Sequence, residues 1–292
     1  MKIIIDTDLG GDCDDVGALA VACNLAKAGK TELLAVTYCI GNPLGGYFTR
    51  YELDYFGFKD VPLGTLKDDN FMSASNYAKY SKPFCEKYQP THPETEDTTR
   101  VLRRTLAGNS GVTLVAIGPL RNISNLLESD PDDISPLNGI ELVKESVVEF
   151  VTMLGSFDRP DYTEWNILMD IKSAQNVIEK MPVPIVFSPH ELGSHIFTGQ
   201  LNETLPEGHP VREAYWLYSD KKSYIRQSWD LITVYAAVTG SKMWKRRATS
   251  AMIDDRGCCK ELQIDCQSRK MYVLEQTATD EEITNSINFL MV

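Results

Sequence analysis

Two apolar rhythms alternate along this chain. Short apolar runs read as buried strands: Lys2–Asp6, Leu33–Cys39 ("LLAVTYC"), Val112–Ile117 ("VTLVAI"), Val147–Leu154 ("VVEFVTML") and Pro184–Phe187. Between them the spacing turns helical. Asp14–Lys27 carries Val16, Leu19, Ala20 and Cys23 on one face, and Gly29 is placed to stop it. Gly45–Phe58, Thr98–Ala107, Leu120–Leu127, a segment ending with Ala174–Lys180, and Leu231–Val238 are further helix candidates. The tail predicts strand pairing over Leu262–Leu274 and a closing helix over Asp280–Met291. A strand, a helix of about a dozen residues and another strand make a parallel βαβ unit. The expected fold is therefore α/β, an open, mostly parallel, Rossmann-like sheet with helices on both faces. No repeat, low-complexity tract or linker interrupts it. The polar stretches Lys67–Ser81 and Asp130–Asn138 read as surface excursions, so residues 1–292 are expected to form one domain.

Charge narrows the partners. The chain has 292 residues, 29 Lys and Arg against 41 Asp and Glu, and a net charge of −12. Nucleic-acid binding needs a basic face, and none is indicated. A small-molecule substrate or a bound cation suits the balance better. No apolar run reaches the roughly 20 residues that span a bilayer, and nothing resembles a secretory leader, so a cytoplasmic location is expected. The seven cysteines are odd in number and scattered, which fits reduced thiols. Cys258 and Cys259 are adjacent and lack zinc-ligand spacing; Cys13 and Cys39 read as packing groups, sulfur being a poor ligand for a hard cation.

One short stretch departs from the rest. "IIIDTDLGGDCDD" places five carboxylates, Asp6, Asp8, Asp12, Asp14 and Asp15, where the first strand hands over to the first helix. A helix N-terminus favours Asp, which accounts for Asp14 and one neighbour but not for Asp6 and Asp8. Carboxylates this close, if ionised, call for a cation. Calcium and magnesium are the hard cations that oxygen ligands suit. An EF-hand is excluded, because the position that should carry its Glu is Gly17 or Leu19. Other distinctive groups fall at other strand ends: Gly41–Asn42, Gly118–Pro119 and the segment from Gly155 to Asn166. In open parallel sheets ligands bind there. "IIIDTD" by itself also fits a magnesium-dependent phosphotransferase of the haloacid-dehalogenase type.

The longer stretch "DTDLGGDCDDVGALA" resembles the N-terminal signature of the nucleoside hydrolases, the inosine/uridine-preferring nucleoside N-ribohydrolase family. Four further segments are similar in family order: "VTYCIGN", "VAIGPLRNIS", "MLGSFDRPDYTEWNILMD" and "SWDLITVYAA". The resemblance implies calcium-dependent hydrolysis of the N-glycosidic bond of a nucleoside. It implies Asp8 as general base and calcium ligand, with Asp15, the Ile117 carbonyl and Asp230 completing the calcium set. Asp14 or Asp12 would hold ribose hydroxyls, with Asn42, Glu164 and Asn166. Asp6 would only tie the loop. Dimers or tetramers are implied by the same analogy.

Two positions depart from the family pattern. Where purine-accepting members often carry a proton-donating His, this chain has Trp229, whose indole N–H is no acid at neutral pH. Where others have a sugar-binding Asn, counting gives Asp158. His190, near the Pro184–Phe187 strand end, is the first candidate for a substitute acid. A ribose- or nucleoside-binding homologue without catalysis is the alternative that these departures leave open.

Overall fold

A computed structural model describes residues 1–92, 94–240, 242–262 and 270–292. In chain order its strands are β1 (Lys2–Thr7), β2 (Glu32–Tyr38), β3 (Leu63–Thr65), β4 (Glu96–Asp97), β5 (Val112–Ala116), β6 (Val147–Met153), β7 (Ile185–Ser188), β8 (Phe197–Thr198), β9 (Arg226–Gln227), β10 (Trp244–Thr249), β11 (Ala251–Ile253), β12 (Cys259–Glu261) and β13 (Met271–Gln276). Nine of them form one sheet in the order β10-β13-β7-β6-β5-β1-β2-β3-β4. Every neighbouring pair is parallel except β10 with β13. β8 pairs with β9, and β11 with β12, in two small ribbons. The expected open, mostly parallel sheet is present.

Alternate residues of the central strands supply two apolar layers. Ile3, Ile5, Val36, Val115, Val151 and Val186 face one, where the helices Asp14–Lys27 and Trp229–Thr239 pack. Ile4, Ala35, Leu114, Phe150, Ile185 and Phe187 face the other, covered by the helices Thr98–Ala107, Arg121–Leu127, Gly139–Ser146 and Ile171–Lys180. Strands buried on both faces explain why each read as a continuous apolar run.

Helix boundaries follow capping chemistry more than hydrophobic periodicity. The Asp14–Lys27 and Thr98–Ala107 helices fall where expected. The second helix begins earlier than Gly45, at Pro43, because the Asn42 side chain accepts from the Leu44 N–H and Pro43 is preset for a first helical residue. Asp170 likewise caps the helix that starts at Ile171. The closing helix ends at Asn288. Of the expected Leu262–Leu274 pairing, β13 supplies Met271 onward, and residues 263–269, with Cys266, lie outside the described residues. The other six cysteines are free and buried. Among the described residues no helix is long and apolar enough to cross a membrane.

β1 is flanked by β2 on one side and β5 on the other, so the chain reverses its direction of winding there. The carboxyl end of β1 is the crevice in which such sheets place a ligand, and it delivers the acidic loop.

Candidate active site

Asp6 is still within β1, and both neighbours claim it. One carboxylate oxygen accepts from the Thr37 hydroxyl at 2.6 Å and the Asn122 amide at 2.7 Å. Burial pushes its pKa up to about 7, against the pull of those two hydrogen bonds. It ties β1 to β2 and to the helix after β5, away from the cavity. Beyond it the loop turns through Gly10, at φ +129°, whose N–H donates to the buried Tyr80 hydroxyl at 2.7 Å. Only glycine takes that backbone conformation readily.

The turn brings three carboxylates, Asp8, Asp14 and Asp15, to one region, and Asp230 joins them from a later helix. Asp14 and Asp15 open the first helix, and Asp230 lies in the first turn of the helix Trp229–Thr239. One ligand oxygen from each of these three lies within 4.8 Å of the others, and all three residues are buried. The Asp230 N–H donates to Asp14 Oδ2 at 3.2 Å, and the Thr7 hydroxyl donates to Asp15 Oδ1. Asp8 lies beside them, its carboxylate against the bare Cα of Gly118; a Cβ at that glycine would fall 2.7 Å from Asp8 Oδ1. Burial raises all four pKa values well above the ordinary carboxylate range, and the four carboxylates raise one another's further. The adjoining Cys13 and Cys39 thiols are pushed up by burial as well, so neither is a thiolate. What remains is a buried set of hard oxygen donors that a cation could hold together. The tightest group is Asp14, Asp15 and Asp230; the expected set had Asp8 in place of Asp14.

A cavity of about 420 Å³ opens above this floor, with Asp8, Asp12, Asp14, Asp15, Ile117 and Asp230 in its lower wall. Glu164, Asn166, His190 and Trp229 line it too. Glu164 caps the helix Trp165–Met169, accepting from Asn166 N at 2.7 Å and Gly155 N at 3.3 Å, and burial raises its pKa to about 7. The Asn166 amide nitrogen donates to the carbonyls of Ile117 at 3.2 Å and Met153 at 3.1 Å, so Oδ1 keeps its acceptor capacity.

Three sequence expectations change at this point. Asn42 is not in the cavity wall; its side chain is spent on the Leu44 N–H, the turn-capping role. Asp158 is also outside, exposed on the loop after β6 and accepting from Ser156. Asp12 reaches the cavity, but its oxygens are already engaged. Arg226 takes both, Nε to Oδ1 at 3.0 Å and Nη2 to Oδ2 at 2.5 Å, and the Tyr218 hydroxyl adds a 3.2 Å bond. Of the two candidates for the sugar, Asp14 is the one without a direct ion pair among the described residues, although the Arg226 charge reaches it too.

Sequence reading did not find Arg226, Tyr218, Tyr162, Tyr77, Trp165 or Lys79, all of which line the cavity. They come from loops, helices and the short strand β9, all remote in sequence from the acidic stretch. A signal existed for Arg226 alone, since five crowded carboxylates imply a counter-charge somewhere. Its guanidinium lies 5.1 Å from the Tyr218 ring centre and 5.0 Å from that of Trp229, bridging floor and aromatic wall. The Trp229 indole N–H donates to the His190 carbonyl at 2.8 Å, so it faces the backbone and not a ligand.

Comparison with known proteins agrees with this geometry. An uncharacterised protein of Schizosaccharomyces pombe is 28% identical over 245 residues, spanning 76% of this chain and 72% of that one. The structure of an inosine-uridine preferring nucleoside hydrolase from Bacillus anthracis superposes with a TM-score of 0.75 at 16% identity, over 99% of this chain and 98% of that one. A purine-preferring ribonucleoside hydrolase from Gardnerella vaginalis gives 0.76 at 17% identity, over 100% and 98%. At such identities these structures establish the shared fold. The sequence model of the inosine-uridine preferring nucleoside hydrolases matches residues 3–285, which sets aside the dehalogenase-type phosphotransferase alternative. The chain belongs to the inosine-uridine preferring nucleoside hydrolase family.

Proposed function

We propose that the protein hydrolyses the N-glycosidic bond of ribonucleosides to ribose and free base, with calcium as its cofactor. The observation that carries this reading is the buried carboxylate floor, Asp8, Asp14, Asp15 and Asp230, opening into a cavity walled by polar groups below and aromatic rings above. The donor set fits a hard divalent cation: carboxylates whose pKa values are raised by burial and mutual repulsion are those a 2+ charge would restore to ionised form. Asp8, Asp15, the Ile117 carbonyl and Asp230 would hold it, with Asp14 shared between the cation and the sugar. When bound, calcium orients ribose hydroxyls and a water and makes that water more acidic.

The chain's own groups do the rest. Asp8 takes the proton from the attacking water on a carboxylate oxygen. Asp14 accepts from a ribose hydroxyl, and the Asn166 Oδ1 and Glu164 carboxyl contact the sugar from the opposite wall. The negative floor stabilises the oxocarbenium-like ribose that forms as the bond to the base lengthens. Trp229 gives the base an apolar face to lie against. Asp12 stays with Arg226 and keeps that cation beside the floor.

Incubation of the calcium-loaded protein with a nucleoside panel should release free ribose. Asp8→Asn should abolish release while calcium still raises the melting temperature. Ribose release retained in that variant removes Asp8 as the base. Ribose binding by calorimetry without turnover of any nucleoside would identify a ribose binder instead.

A further inference from the structure

The leaving-base side of the cavity has one titratable side chain held in a defined state. His190 follows β7, and its half-buried ring lines the cavity between Tyr162, 5.0 Å away centre to centre, and Trp229, 5.5 Å away. Its Nδ1 lies 2.7 Å from Arg159 Nη2. A guanidinium has donors only, so Nδ1 must be the acceptor, and the ring proton is on Nε2. Arg159 is half exposed, with its guanidinium 4.0 Å from the Tyr162 ring centre and its Nε 3.7 Å from an Asp158 oxygen.

We propose that Arg159 is a positioning residue that locks His190 as a neutral imidazole presenting Nε2–H to the leaving base. The inference rests on the N-ribohydrolase reading and deepens it: His190 gives the departing base a hydrogen bond and does not give it a proton. In the step the C1′–N bond breaks and its electron pair goes to the base nitrogen. Water adds to C1′ and loses its proton to Asp8. The base anion, held by Nε2–H, is protonated from solvent after it leaves.

The surroundings are consistent with a neutral ring. Burial and the Arg159 charge lower the His190 pKa, and Asp158 opposes them. Asp158 lies 2.8 Å from the Ser156 hydroxyl, whose one proton it shares with Glu191. Glu191, next in sequence, turns away to the Phe157 N–H at 2.9 Å and the Ser156 hydroxyl at 3.1 Å. Tyr162 and Trp229 meet the ring as aromatic surfaces, and Trp229 anchors the His190 backbone. An approaching proton on Nδ1 would have to displace Arg159.

Two measurements on the full chain test this. Nitrogen-15 long-range correlation NMR, with the His190 signals assigned by their loss in His190→Ala, reads which ring nitrogen is protonated. At pH 7 the expected state is Nε2–H with Nδ1 bare; Arg159→Gln should give mixed tautomers, and Arg159→Lys, which keeps a donor, should largely restore the wild-type state. Kinetics then compare inosine with a nitrophenyl riboside, whose leaving group is stable as an anion. In His190→Ala the ratio of kcat/KM for inosine to that for the nitrophenyl riboside should fall at least tenfold, in line with a hydrogen bond to a developing charge. A protonated Nδ1 at pH 7, as imidazolium or as the other tautomer, overturns the proposal whatever the hydrolysis assay gives, as does an unchanged substrate ratio. Failure to cleave either substrate, with Nδ1 bare, overturns the proposed function and the leaving-group role while the tautomer lock stands.

Discussion

Replacing Asp230 by Asn should make the protein more stable without calcium and indifferent to it. The ligand oxygens of Asp14, Asp15 and Asp230 lie within 4.8 Å of one another. Two unit charges at that separation, in an effective dielectric of about 20, repel by about 3.5 kcal/mol. Asp230→Asn removes its share of this repulsion and keeps the side-chain shape. The variant loses about 1 kcal/mol, because Asp230 also faces the positive end of its helix. A net gain of about 2–3 kcal/mol remains where the carboxylates are ionised. Their folded pKa values are raised, so this cluster's contribution to metal-free stability is full below the ordinary carboxylate range and is lost as pH rises through the folded values. The contrast is therefore largest at alkaline pH.

Calcium reverses the order. At about a hundredfold excess over its dissociation constant it adds about 2.7 kcal/mol to the wild type. For a chain of this length each kcal/mol is about 2 °C, so the wild type should melt about 5 °C higher with calcium. Scanning calorimetry at pH 8, in chelator and in excess calcium, measures all four melting temperatures. The expected pattern is a variant about 5 °C above wild type in chelator and unmoved by calcium. A variant that melts below wild type in chelator, or that shifts with calcium as wild type does, refutes the electrostatic argument.

Gly118→Ala should weaken calcium binding at least tenfold by titration calorimetry, since the new Cβ meets Asp8 at 2.7 Å from Oδ1 and 2.9 Å from its backbone nitrogen. Unchanged affinity would mean that Asp8 does not contribute to the site. Asp14→Asn should cost kcat/KM at least a thousandfold and Asp12→Asn about tenfold, because Asp12 acts through Arg226; equal losses in ribose release would put both at the sugar. Glu164, at about 7 against its ordinary 4.5, contributes stability that is full below the unfolded value and lost as pH rises through the folded one. Urea unfolding in chelator at pH 5 and pH 8 should show wild type losing about 2.5 kcal/mol more across that interval than Glu164→Gln.

Much of this site was legible in the sequence because one local stretch carries it. Asp8, Asp14 and Asp15 lie within a single strand-to-helix turn, and the apolar runs around them mark the strands of a parallel sheet. Asp230 was readable as a helix-initiating Asp in a family-like segment. The misplacements have a common cause. Family resemblance sets Asn42 at the sugar and counting along the chain sets Asp158 there, but a side chain goes to its nearest unsatisfied partner. For Asn42 that partner is the N–H of Leu44; for Asp158 it is the hydroxyl of Ser156. The Asp12–Arg226 pair joins residues 214 positions apart, and no local pattern carries that pairing.

That pair also explains why five acidic residues share one loop. They are not five equivalent ligands. Asp6 is absorbed by Thr37 and Asn122, and Asp12 by Arg226 and Tyr218, so three carboxylates from the loop reach the floor, where Asp230 joins them. In the proposed reaction, four ionised carboxylates against one divalent cation would leave a net negative floor, the polarity that a cationic ribose needs and a departing base anion does not. The base must therefore leave toward groups of the opposite sense. On the proposed base side these would be hydrogen-bond donors: the neutral His190 ring held against Arg159 offers Nε2–H, and the Arg226 guanidinium beside Trp229 is already paired with Asp12. In the proposed reaction the site would run from carboxylate acceptors at the sugar to hydrogen-bond donors at the base, along the direction in which the glycosidic electrons move.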